Sequence, residues 1–514
     1  MRDIYSKAQC VLVWLGEPYE GSDDAMDFIP MLTSALQQLD AAPNTAQLLA
    51  GTDDIPSMTS PIWIALLRLF RRPWFGRTWT IQEVIKAQAA VVICGQKKTD
   101  WQELSACIDE SQRMGGIFER YACLLPRSQL GQECSAYLQV PLISGFKRDM
   151  INNPDRVDFS TMLKAFENCG ATNPRDKIFA LFGFLPEEQR NRFETPDYRK
   201  PVEQVYIETA DTLIKQLGNL ELLANAGLAI AGQTAGLPNI PSWVPDWTVP
   251  KAPGLTLQKH GFSMIHPAAD PTKETAVYRA SGDCSASVDD RTERTVLSLR
   301  GKLISKVANA GIKFPHVGPG ASVASKSGQN EMRIHATKRW AKIEACFKLI
   351  ANMSLPLYPT APERLSACRV CLVAGKGIFS QDANTDELAT VFSFYKKYLD
   401  RWLAVQRRTW WRDHSLDAEF QAMAHEARYA SSLIGDATDG RQFFVTEDGH
   451  MGLGPHGLKE GDQICIMYGL SVPFVIRYRE SGLYSLLGEC YVEGIMNGEA
   501  IQMENLEETF ISLV

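Results

Sequence analysis

No stretch of this 514-residue chain approaches the ~18 uninterrupted apolar residues of a membrane-spanning helix, so no membrane span is expected. The apolar run nearest the N-terminus, Cys10 to Leu15, is too short for the hydrophobic region of a secretory leader and stops at Gly16-Glu17. Basic charge is not in excess either. Lys and Arg total 53 against 60 Asp and Glu, a formal net charge of −7. That balance argues against general binding to nucleic acid or anionic membrane, which needs clustered cations to neutralise phosphate. Twelve cysteines are present but without the spacing of a disulfide framework. Most sit among apolar neighbours, as in Val92-Ile93-Cys94 and Ile464-Cys465-Ile466, where cysteine serves as a small buried hydrophobe. Such a chain without a leader fits a reduced, cytoplasmic setting, in which the sequon Asn352-Met353-Ser354 stays unused.

Signatures of catalysis and of metal or cofactor binding are also missing. The eight histidines form no His-Glu-x-x-His and no triad, and His425-Glu426 reads as a pair on a helix surface. Cys368-x-x-Cys371 has no second pair and no histidine at finger spacing, so no metal is expected. There is no Gly-x-Ser-x-Gly elbow and no phosphate-binding Walker loop. Gly452-Leu453-Gly454-Pro455-His456-Gly457 satisfies Gly-x-Gly-x-x-Gly in form only. Pro455 and the following Leu-Lys-Glu-Gly-Asp indicate turns among strands, whereas a dinucleotide site needs a strand before the motif and a helix after it. No cofactor and no complete catalytic constellation follow.

What is there is a globular chain. Hydrophobic residues make up 45% and charged residues 22%, enough apolar surface for a sizeable core. Cys10–Leu15 and Ala89–Cys94, each closed by a glycine, read as strands buried on both faces. Between them Ser22 is placed to cap a helix with Met26, Ile29, Leu32, Leu36 and Leu39 at helical spacing, and a second helix starts at Pro61 with Ile62, Leu66, Leu69 and Phe70 inward. Trp79–Ala87 is expected to be helical, and Asp100 with Glu103 has the pattern of a capping box for the next helix. Alternating helices and buried strands predict a parallel α/β sheet. Further on, Asn173-Pro174-Arg175-Asp176 is a helix start, Pro201–Gln216 a helix, Pro238–Pro250 an extended segment, and 315–330 a loop. Strand-like runs fall near 277–280 and 295–304, and helices near 331–353, 385–407 and 416–433. From Arg441 on, tight turns such as Asp448-Gly449, Ser481-Gly482 and Asn497-Gly498 mark short strands of a small antiparallel unit, a partly closed barrel or sheet over 441–502. The expected divisions are 1–120 (the α/β core), 121–250 (helical, with a Pro/Trp strap), 251–440 (loops and helices) and 441–514 (β-rich).

Four stretches in this order resemble fungal heterokaryon-incompatibility (HET) domain proteins. They are Ile4-Tyr5-x-x-Ala8 with Val13-Trp14-Leu15-Gly16; Arg72-Pro73-Trp74-Phe75-x-Arg77-x-Trp79-x-x-Gln82-Glu83; Pro174-Arg175-Asp176-Lys177-Ile178 with Pro196-Asp197-Tyr198 and Pro241-Ser242-Trp243-Val244-Pro245-Asp246-Trp247; and Gly452-Leu453-Gly454-Pro455 with Gly488-x-Cys490-Tyr491-Val492-x-Gly494-Ile495-Met496. The resemblance implies a TIR-like α/β core, a part in non-self recognition and programmed cell death, and protein partners. It also implies that strands usual in the family, together with a nucleotide-hydrolysing glutamate, lie upstream of Met1, so that either the start is misassigned or the chain is a truncated paralogue, in which the strand at 10–15 exposes an edge. If that segment is restored, the alternative is a TIR-like NAD or nucleotide hydrolase; otherwise the chain is a degenerate, non-catalytic paralogue.

Two motifs offer a candidate functional surface: Arg77, Gln82 and Glu83 in the first, Arg175 and Asp176 in the second. Each also has a purely architectural reading. Trp74, Phe75 and Trp79 serve as core anchors with polar residues pairing around them, and Asn173 and Asp176 suit the first turn of a helix. Trp14, Trp243, Trp247, Gly452 and Gly454 read as scaffold, with Pro241 to Trp247 a rigid strap over the helical body.

Overall fold

A computed structural model describes residues 2–39, 51–52, 54–57, 60–114, 116–118, 136–152, 158–227, 236–249, 278–289, 293–315, 326–376, 384–406, 430–431 and 433–514. The chain forms two compact units. Residues 1–209 make up most of the first, and the described residues from 210 to 315 and from 333 onward form the second.

In the first unit α1 (Arg2–Lys7) leads into β1 (Val11–Trp14), which pairs in parallel with β2 (Ala90–Cys94); Val11 lies opposite Ala90 and Val13 opposite Val92. The left-handed Gly95 (φ +56) turns β2 into β3 (Lys97–Asp100), which runs antiparallel, so the sheet is mixed with order β1-β2-β3. β1 is not covered on both faces as its sequence predicts. Val11 and Val13 are buried, whereas Leu12 is 64% and Trp14 49% exposed, and Trp14 anchors no core. The four-residue apolar run made a period-two pattern invisible, because both faces carry hydrophobic residues.

Helix α2 (Ser22–Gln37) buries Met26, Ile29, Leu32 and Leu36 as its spacing predicts. Its cap is the left-handed Gly21 and not the Ser22 side chain, because Ser22 is already the first helical residue. Helix α3 (Pro61–Phe70) starts as read, with Ser60 Oγ accepting from Ile62 N and proline in the first turn. Helix α4 (Thr80–Ile85) follows the short turn Pro73–Gly76, and α5 (Trp101–Arg113) starts directly after Asp100, whose side chain makes no capping bond. The box expected with Glu103 is therefore not formed. Trp63, Phe70, Phe75 and Phe118 meet at ring separations of 5.4–6.4 Å, and Trp74 packs on Trp101 at 5.7 Å. Trp63, Phe75 and Phe118 are among the largest fully buried side chains of the described residues. Then come α6 (Gln139–Asn152), α7 (Phe159–Ala165), the single turn α8 (Asp176–Phe179), α9 (Glu187–Arg190) and α10 (Val202–Asp211), within which the division between the units falls. The helix expected over 201–216 finishes instead as one wide π turn, Thr212–Gln216.

The second unit is a β-barrel with helices packed beside it. Its organising element is β4 (Leu297–Asn309), long enough to pair with three strands. The others are β5 (Arg441–Thr446), β6 (Met451–Pro455), β7 (Gln463–Met467), β8 (Phe474–Tyr478), β9 (Leu483–Glu489), β10 (Tyr491–Val492) and β11 (Glu508–Leu513). The pairings β4-β11-β9-β8-β7-β4 close a ring, and β5, β6 and β10 extend from the far half of β4 beyond a bulge between Leu303 and Ser305. All contacts are antiparallel except β11 with β9, which is parallel over two residue pairs. The unit expected over 441–502 is real, but its closing strands come from 297–309 and 508–513. Ile464, Ile466, Val475, Leu487 and Val492 fill the interior with Phe444.

Alongside lie α11 (Lys326–Ala351), which belongs to this unit from Arg333 on, α12 (Ala361–Leu372), opened by a Thr360–Glu363 capping box, and α13 (Thr385–Gln406). The loop expected over 315–330 gives way to helix at Lys326, and 278–280 forms no strand. The segment 238–250 is a series of turns where described. Residues 416–429 of the helix expected over 416–433, with His425-Glu426, lie outside the described residues. Gly452 and Gly454 sit in β6, followed by a turn and not a helix, as the dinucleotide reading requires for its rejection. A Cβ on Gly452 would lie 2.2 Å from a ring carbon of Phe444, so glycine is required there for packing.

Candidate functional site

In the first unit, Trp74 Nε1 donates to Glu83 Oε2 (2.9 Å), which holds the Glu83 carboxyl at the half-buried start of α4. Burial pushes the Glu83 pKa up, only partly offset by the Trp74 hydrogen bond and the nearby Arg77. Tyr5 of α1 shares this environment: burial raises its hydroxyl pKa, Glu83 raises it further and Arg77 lowers it. Arg77 itself is exposed, and its backbone bridges to Gly170. Carboxyl, phenol, indole and guanidinium therefore gather around one partly solvated spot, a set able to hold a proton beside an anion-binding cation.

Gln82 is not part of that surface. It is buried, and its side-chain amide donates to Ala180 O. Its Oε1 has no hydrogen-bond partner, and Gly183 packs so closely that a Cβ there would come within 2.9 Å of the Gln82 amide nitrogen. Gln82 thus ties the first motif to the second. The strap at Gly170 ties them again: Gly170 N donates to Gly76 O (2.5 Å) and Thr78 N to Gly170 O (3.0 Å). Trp74 and Phe75 are buried, while Trp79 is only half-buried at the N-cap of α4.

The second motif is a hub of backbone clamps. Asn173 Oδ1 accepts from Arg175 N (3.1 Å), the Asx contact that starts α8. The Arg175 guanidinium lies on Lys200 O (Nε, 2.7 Å). Lys177 Nζ donates to Glu167 O (2.7 Å) and to Cys169 O, and burial holds its pKa below the usual lysine range. Tyr206 OH donates to Pro174 O (2.9 Å). Asp176 is the member that faces outward: it accepts from the exposed Tyr198 (2.6 Å), whose pKa burial and this bond push up to about 12. Next to it, Asp197 is held at about 2 by the Arg199 guanidinium. A depression beside these residues has a floor of Phe179, Phe182 and Phe193 and a rim where Lys200 pairs with Glu208 at 2.7 Å.

Of the residues named from sequence, Arg77, Glu83 and Asp176 thus lie on or near the surface, and Gln82 and Arg175 hold the scaffold. Sequence reasoning missed Tyr5 as a neighbour of Glu83, and Lys200, Tyr206 and Glu208 around the second motif. No local signal marks them, because their partners lie between 8 and 78 positions away in the chain. In the second unit Trp243 is fully buried with its indole on Thr295 O (3.2 Å), Trp247 is buried, and Ser242 N donates to Val514 O (3.0 Å). The strap at Pro241–Trp247 is therefore fastened to the barrel strands.

Among the described residues no helix is long and apolar enough to cross a membrane, and no group of three or more His, Cys, Asp or Glu is placed to hold a metal. What remains is a class of protein in which a helix-flanked mixed sheet is joined in one chain to a helix-buttressed β-barrel. Comparison with known proteins matches both parts: residues 1–83 match the heterokaryon incompatibility protein (HET) family and residues 381–512 the Het-6 beta-barrel domain, and together these matches support a HET-family protein. It is 22% identical over 580 residues to heterokaryon incompatibility protein 6, OR allele, of Neurospora crassa, an alignment covering 99% of this chain and 79% of that protein. No solved structure matches. Strand β4, on which the barrel closes, lies outside the matched barrel span.

Proposed function

We propose that this protein acts in the cytoplasm in fungal non-self recognition, initiating programmed cell death through contacts with protein partners. The observation that carries this reading is the pairing of a HET match with a Het-6 barrel match in one chain, alongside near-full-length likeness to a heterokaryon incompatibility protein. Arg77, Asp176 and Tyr198 are the outward-facing polar residues of the family-like motifs and the first choice for a partner surface. Overexpression in a filamentous fungus is expected to arrest growth, and Arg77→Ala or Asp176→Ala to weaken the arrest at equal protein level. Unaffected growth, with the Neurospora relative killing in parallel, sinks the reading and favours a degenerate paralogue.

A second reading is enzymatic. Its support is the Glu83 carboxyl, raised in pKa and set beside Arg77, Tyr5 and the Trp74 indole, an arrangement suited to proton transfer next to a bound anion. NAD is the substrate to try. Cleavage by the wild type that Glu83→Gln abolishes supports it; no cleavage by this chain or by an N-terminally extended one removes it.

A further inference from the structure

In the second unit, α12 ends at Leu372 and the backbone turns through Ala374 (φ +50) and Gly375 (φ +67). Ala374 is one of two non-glycine residues with positive φ among the described residues, a conformation kept only where the surroundings impose it. They do so here. Ala374 O accepts from the buried Tyr278 hydroxyl (2.5 Å), and the Tyr278 ring meets the Tyr491 ring at 6.1 Å. A Cβ on Gly375 would lie 2.8 Å from the Tyr491 hydroxyl oxygen, so only glycine lets the helix end come this close. Tyr491 OH in turn donates to the Glu493 carboxyl. Glu493 is fixed by its backbone: its N–H donates to Met451 O (2.9 Å) and its carbonyl faces His450 Nδ1 (2.9 Å).

We propose that Glu493 and Tyr491 form a proton-operated latch that fastens the end of α12 to the barrel. Among the described residues, the groups around Glu493 include no Lys or Arg. Tyr491 and Cys490 come from its own strand region, Glu499 from the turn that follows, Cys371 from α12, Tyr358 from the segment before α12, Tyr278 from before β4, and His450 from the β5–β6 turn. No Lys or Arg ion pair reaches Glu493 among the described residues, and the nearby Arg441 is paired with Glu489 at 2.9 Å. Burial raises the Glu493 pKa; the Tyr491 bond lowers it and Glu499 raises it. The neutral acid accepts the Tyr491 bond without penalty, whereas the carboxylate is a buried charge lacking a counter-ion. With a folded-state pKa above the unfolded one, the stability that Glu493 contributes at this latch is fully present below the ordinary glutamate range. It weakens as pH rises through the folded value.

The test compares the full chain with Glu493→Gln and Tyr491→Phe. Infrared spectra of the wild type, recorded as pH rises from acidic, are expected to show a buried carboxylic-acid band that outlasts the ordinary glutamate range, that Glu493→Gln removes and that Tyr491→Phe shifts. The melting temperature of the wild type is expected to fall relative to Glu493→Gln as pH rises from acidic to alkaline. Over the same range hydrogen exchange at 361–376, corrected for intrinsic rates, should increase in the wild type and stay flat in the variant. Absence of the band, or parallel pH curves, overturns the latch. Should Glu493→Gln not fold, the band and its shift in Tyr491→Phe decide alone, and an unshifted band overturns the proposal.

Discussion

Lys177 and Arg77 carry the same charge and belong to the same two motifs, yet they do different things. The Lys177 ammonium is buried on two backbone carbonyls, Glu167 O and Cys169 O, whereas Arg77 extends into solvent. Truncating Lys177 leaves buried acceptors unpaired, which costs about 1–3 kcal/mol. Lys177→Met is therefore expected to lower the denaturation midpoint measurably, while Arg77→Ala shifts stability by no more than about 0.5 kcal/mol. Equal losses in urea titrations would show that the two positions are not divided between scaffold and surface. Glu83 tests the same division through pH. Its folded pKa lies above the unfolded one, so the fold loses stability as pH rises from the ordinary glutamate value through the folded value. Glu83→Gln lacks that loss, and its melting temperature should gain on the wild type across this window. A gap that does not change with pH would mean that the carboxyl is not held protonated by the fold.

At the scale of elements, the tryptophan of β1 departs from the scaffold role expected of it, whereas those of the Pro241–Trp247 strap are buried. Trp14 has ordinary strand neighbours and an apolar run around it, yet it projects from the uncovered side of a sheet edge. Replacing Leu12 and Trp14 with serine should change stability by about 0.5 kcal/mol or less per site and reduce self-association in sedimentation runs, since an apolar strand edge is a template for pairing. A loss of several kcal/mol would place these side chains in a core. Trp243 is the opposite case: fully enclosed, with its indole nitrogen satisfied by Thr295 O. Trp243→Ala is expected to cost about 3–5 kcal/mol in calorimetry or denaturant unfolding. Helix starts show a similar contrast. Ser60 and Thr360 cap their helices, whereas Ser22 and Asp100, the caps expected from the sequence, do not, because a left-handed glycine fixes the first start and the β3–α5 junction is set by sheet pairing.

For the molecule as a whole, the barrel shows how far local pattern reaches. Gly452→Val places atoms where the Phe444 ring and Tyr491 O already lie, and overpacking of this kind costs about 1–3 kcal/mol. Loss of barrel signals in near-ultraviolet circular dichroism ahead of helix signals is the expected result; unchanged melting would mean that β6 and β5 are not in this register. By itself the sequence determined the elements whose cause is local: apolar spacing in α2 and α3, the first-turn proline of α3, glycine turns between the short strands after Arg441, and the ordered motifs that carry the family likeness; α12, with its Thr360–Glu363 box, was not among them. Only the tertiary structure decided which face of β1 meets solvent, that Gln82 and Lys177 are interior clamps, and that the barrel closes on a strand more than a hundred residues ahead of its other members. The physical reason is the same in each case. Hydrogen-bond partners and buried faces are set by distance in space, whereas periodicity and capping report only on neighbours in the chain.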